Sequence, residues 1–110
     1  MNTVYVVNSE NVFKPQPGAL GVELNVQGAV VQVAAASVAA WISKKVEQIE
    51  LSVKTNDVLY TLDNTAPVTA GAGIHLPKGI YHWHIDKVRA AKFIRAAGED
   101  NGVIRFEPGV

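Results

Sequence analysis

The chain is divided into short runs, each bounded by turn-forming residues, and this rhythm limits the fold more than any other feature. β-Branched and aromatic residues crowd 3–7 (TVYVV), and alternating runs follow at 22–26 (VELNV), 46–53 (VEQIELSV), 58–62 (VLYTL) and 80–85 (IYHWHI). Successive side chains of a strand point to opposite faces, so each alternating run has one apolar face to bury. Ile49, Leu51 and Val53 share one face, as do Val58, Tyr60 and Leu62. In 80–85, Tyr81, Trp83 and Ile85 face one way and Ile80, His82 and His84 the other. Further apolar runs lie at 30–33, at 91–97 around Phe93 and Ile94, and at 103–106. Between them stand turn signals: Gln27-Gly28, Asn56-Asp57, the small-residue stretch 64–73, then 77–79 and Pro108-Gly109. The GEDNG stretch at 98–102 reads as a hairpin loop that returns 103–106 as the partner of 91–97. About seven or eight short strands at this spacing define an all-β protein, an antiparallel β-sandwich or a jelly-roll-like barrel.

One segment breaks the pattern. Residues 34–48 (AAASVAAWISKKVEQ) are rich in helix formers, and Val38, Ile42 and Val46 recur every four positions. A short helix or irregular segment near 35–41, giving way to a strand from about 46, satisfies both patterns. Residues 8–21 collect Asn, Ser, Pro and Gly. Pro15 and Pro17 oppose helix there, so the segment is a surface loop or an extended arm with Phe13 and Leu20 as apolar anchors.

At 110 residues the chain has the size of one domain spanning 1–110. A chain of this length buries roughly two-thirds of its unfolded surface, enough for a core without metal or disulfide. Charged residues make up 18%, below the usual quarter, which favours a protein that covers surface with partners. The formal net charge is zero, which argues against nucleic acid as a main partner, since phosphate binding draws on a basic excess. Cysteine is absent, so disulfides and thiolate chemistry are excluded. No basic start followed by an apolar core marks a secretion signal, and the weakly polar run 28–42 is too short and too broken to span a bilayer. The expectation is a protein made in the cytoplasm, with no membrane partner.

Residues that carry chemistry are sparse. His82 and His84, two apart on one strand face, are the candidate metal ligands, but a zinc site needs about four donors. Asp63, Asn64 and Thr65 lack the further oxygens and late glutamate of a calcium loop. Glu47 and Glu50 fall on opposite faces of a strand, and Ser37, Ser43 and Ser52 stand in no nucleophile motif. Lys87, Arg89, Lys92 and Arg95 form a loosely basic segment, suited to a protected sheet edge or to an acidic patch on a partner. No catalytic residue and no cofactor is expected.

From Ile49 to the C-terminus the layout resembles another group of proteins. Residues 59–67 (LYTLDNTAP) place a strand before an aspartate turn and a proline, followed by Gly73, Leu76 and Gly79. A strand comes next, then Lys92, Phe93, Ile94 and Arg95, then a glycine-containing loop and the closing strand at 98–106. This order is similar to that of small all-β virion structural proteins of tailed bacteriophages, of the capsid cement or decoration kind. The resemblance covers a little over half the chain and carries over no catalytic residue.

It implies a non-enzymatic virion component that bridges major capsid protein subunits and works as a homo-oligomer, a dimer or trimer, after synthesis in the host cytoplasm. Interface candidates are then Tyr5, Phe13, Leu20, Trp41, Lys92 and Arg95, with the core the favoured place for Trp41. The alternatives are a head–tail or neck protein, or a carbohydrate- or host-surface-binding module that stacks sugars on Tyr81 and Trp83.

Overall fold

The computed structural model describes residues 13–18, 20–62, 73–96 and 98–110. In chain order the elements are β1 (Val22–Val26), α1 (Ala35–Ser43), β2 (Gln48–Lys54), β3 (Val58–Thr61), β4 (Ile74–Leu76), β5 (Gly79–His84), α2 (Ile85–Ala90), β6 (Lys92–Arg95) and β7 (Gly102–Pro108). The strands form two antiparallel sheets, one ordered β1-β7-β2-β5 and the other β4-β3-β6. They enclose a common core, so the chain is an all-β sandwich, with two short helices among the described residues.

The alternation read from the sequence sets the inner faces. Ile49, Leu51 and Val53 of β2 are buried, with Ile104 and Phe106 of β7 and Trp83 of β5 beside them. From the smaller sheet come Val58, Tyr60, Leu76 and Phe93. Aromatic rings join the layers: Tyr60 lies 4.9 Å from Trp83, and Phe93 lies 6.3 Å from Trp83 and 6.0 Å from Phe106. These tilted, stacked and edge-on pairings suit ring quadrupoles and stabilise beyond burial alone. Lys87 of α2 lays its ammonium 4.2 Å from the Trp83 ring centre. Leu59, Ile94 and Ala96 form a second buried cluster on the other face of the smaller sheet. The strand at 58–61 is therefore buried on both faces rather than on one.

Among the described elements the chain passes between the sheets four times, and the last crossing corrects the expected hairpin at 98–102. β6 pairs with β3, whereas β7 pairs with β1 and β2, so the GEDNG stretch joins different sheets. The crossing is pinned by its backbone and amides. The Asn101 carbonyl accepts from the Asn56 side chain at 3.0 Å, and Arg95 donates to the Asn101 side chain at 2.9 Å. The outer edge of β6 is covered by the segment 27–31, through reciprocal Val31–Phe93 bonds and an Arg95 N–H to the Gln27 carbonyl. The run 30–33 thus forms a single bridge at Val31 rather than a strand.

A second correction concerns Ile85–Ala90, which continues the strand reading at Ile85 but turns into α2. His84 is its N-cap: its Nδ1 accepts the Asp86 N–H at 3.1 Å. Ile85 and Val88 then point into the core three residues apart, as a helix face requires.

Helix α1 ends in a Schellman motif. The Val46 N–H reaches the Trp41 carbonyl at 3.1 Å and the Lys45 N–H reaches that of Ile42 at 2.9 Å. Lys45 takes the left-handed conformation, φ 60°, that glycine usually fills at this position. The core face of α1 is Val38 and Trp41; Ile42, grouped with Val38 and Val46 by its spacing, is instead half exposed. The motif reverses the chain so that Val46 enters the core from beyond the helix end.

Candidate protein-binding surface

Helix α1 has no charged residue, no side-chain N-cap and no acidic group in its first turn. Buried Val38 and Trp41 anchor it, and the Trp41 indole N–H donates to the Leu20 carbonyl at 2.8 Å. That bond ties α1 to the segment entering β1. The opposite side, with Ala35, Ala36, Ala39, Ile42 and Ser43, is exposed. A solvated helix ordinarily carries charges on its outer face; this one presents methyl groups and one half-exposed isoleucine.

Grooves open on both sides of the helix. The larger, of about 560 Å³, has a floor of Val33 and Val38 and a wall of Ala35, Ala39 and Ile42, with Arg89 opposite. The Gln32 amide donates to the Arg89 carbonyl at 3.3 Å and closes one side. Arg89 is the one charged lining residue of the groove among the described residues, and it meets Asp86 at 3.5 Å in an exposed pair. The smaller groove, of about 270 Å³, lies between α1 and the start of β1, lined by Leu20, Val22, Ala36, Ala40 and Trp41.

The expected contact residues are distributed differently. Trp41 is fully buried, so it is a core residue rather than an exposed anchor. Leu20 packs against the same core. Phe13 stacks on His82 of its own chain, ring centres 5.3 Å apart. Its segment runs beside the end of β7, with Pro15 bridged to Gly109 and the Gln16 N–H on the Pro108 carbonyl at 2.8 Å. The described part of the arm is therefore docked on this chain. Lys92 and Arg95 are half-buried on β6, away from α1 in the sequence and engaged within the molecule. Tyr5 and residues 8–12 lie outside the described residues, as do Asp63, Asn64 and Thr65.

The histidines pair singly with carboxylates rather than with one another. His82 meets Glu50 across the β5–β2 ladder at 3.1 Å, His84 lies 3.6 Å from Asp86, and His75 meets Asp57 at 2.9 Å. Among the described residues no group of three or more potential ligands gathers around a metal position. Asp57 accepts from His75 and from the Lys78 N–H at 2.9 Å, and these bonds, the first above all, hold its carboxyl below the ordinary 3.8. The contact fastens the β2–β3 turn to the β4–β5 turn. Trp83 is buried and the Tyr81 hydroxyl is committed to the Pro77 carbonyl at 2.7 Å, so the sugar-stacking pair proposed from the YHWH stretch is turned toward the core.

No protein-family model, curated protein or solved structure matches this chain.

Proposed function

We propose that the chain is a non-enzymatic virion structural protein, a capsid cement or decoration protein that binds neighbouring major capsid protein subunits. The observation that carries this reading is the uncharged, exposed outer face of α1 with an apolar groove on each side. Contiguous apolar surface rimmed by polar residues marks interaction sites. Affinity in such sites comes from a few desolvated anchors rather than from total area. The resemblance of the region from Ile49 onward to phage virion proteins supplies the setting. A sandwich braced by inter-sheet aromatic pairs gives the stiffness that a bridging role needs. Repeated copies across capsomers would add binding free energy that opposes the pressure of packaged DNA. Phage heads made without the protein, then incubated with purified protein or buffer, test this. Greater survival of heat or osmotic shock with the protein is expected, and equal survival would remove the cement role.

A further inference from the structure

We infer that the groove between α1 and Arg89 receives a short segment of a partner subunit that presents apolar side chains together with a carboxylate. The inference rests on the assembly role proposed above and names the chemistry of the partner. Val33 and Val38 form a buried floor, and the alanines at 35 and 39, one helical turn apart, leave a trough beside it. Small side chains on the wall let a larger branched side chain sit close to the helix backbone. Ile42, 50% exposed, extends the apolar wall and gains most from being covered.

Charge selects the occupant. Among the described residues no acidic side chain lines the groove, and the single charged one that does is cationic. The Arg89 pairing with Asp86 is loose, at 3.5 Å between side chains 58% and 70% exposed, so it is readily exchanged or shared. A guanidinium offers several donors in a planar fork, which matches an incoming carboxylate in a bidentate arrangement. A basic segment would bring like charge to Arg89, and a wholly apolar one would leave the guanidinium partly desolvated without a new partner.

The test uses the intact protein and two end-blocked tetrapeptides, one of three leucines and an aspartate, the other with lysine in place of aspartate. Binding is followed by methyl and Arg Nε resonances in titrations. The aspartate peptide is expected to shift Val33, Val38, Ile42 and Arg89 saturably, and the lysine peptide to bind on the order of tenfold more weakly. Arg89→Gln should abolish that preference, and Ala39→Glu should remove binding of the aspartate peptide. Both positions are exposed, and unchanged melting temperatures confirm that the variants fold. Equal binding of the two peptides, shifts centred elsewhere, or no saturable binding would overturn the inference. So would a wild-type dimer that Ala39→Glu converts to monomer by light scattering, because a second copy would then own the groove. Heads bound equally by wild type and Ala39→Glu would sink this groove and leave the virion role standing. Peptide preference without any head binding would do the reverse.

Discussion

Replacing Trp41 by phenylalanine separates a core role from an interface role at the residue whose sequence suits both. Trp41 is fully buried and its indole N–H holds the Leu20 carbonyl at 2.8 Å. Phenylalanine removes the donor, and a partly buried carbonyl without its partner costs about 1–2 kcal/mol. The smaller ring leaves a void of roughly 30 Å³, which at about 24 cal/mol per Å³ adds roughly 0.7 kcal/mol. The expected destabilisation is therefore about 2–3 kcal/mol. For a chain of 110 residues, each kcal/mol moves the melting temperature by about 4 °C, so a fall of about 10 °C is expected. Urea titration followed by fluorescence is the assay, with buried Trp83 as the remaining reporter in the variant. Trp41→Ala should cost more, about 3–5 kcal/mol. A loss under about 0.5 kcal/mol for Trp41→Phe, with weakened partner binding, would refute the reasoning and return Trp41 to the surface.

Further outcomes follow from single contacts. Lys45→Gly should stabilise by about 1 kcal/mol in urea titration, because it relieves a left-handed backbone at the Schellman position. Gly102→Ala should destabilise by about 1–3 kcal/mol, since its added carbon meets the Asn56 carbonyl and a Val58 methyl at 3.0 Å each. Gly109→Ala brings a methyl to 2.8 Å from the Phe13 ring, so the ring-current shift of His82 should fall toward its value in Phe13→Ala. The lowered Asp57 carboxyl makes the unfolded chain take up the proton first on acidification. Its stabilising contribution is thus complete above the ordinary 3.8 and is lost as pH falls from there through the folded value. Asp57→Asn should flatten that limb in melts across acid pH.

The strands that alternate cleanly were legible because burial on one face leaves a period of two in β1, β2 and β5. The sequence told less where pairing is decided at a distance. GEDNG has hairpin chemistry, but turn residues specify a reversal and not which sheet the next strand joins; β7 finds β1 and β2 because its Ile104 and Phe106 complete their inner face. β4 has three residues, too few for a period, and is defined by its partners on β3. α2 has six residues and a histidine cap, outside the usual Ser, Thr, Asp and Asn signal. At the candidate site, the lack of charge across 34–43 was visible in the letters. That it becomes an exposed groove wall was not, because Trp41 rather than Ile42 turns inward to meet Leu20, and Arg89 arrives on a helix that the pattern concealed.

The central claim is that the outer face of α1 is the surface on which this protein joins its assembly. Co-sedimentation of purified wild type and Ala39→Glu with phage heads made without the protein tests it most directly. Saturable binding of wild type, with the equally folded Ala39→Glu left in the supernatant, is the predicted result. Ala39→Glu that binds the heads as tightly as wild type would contradict the claim.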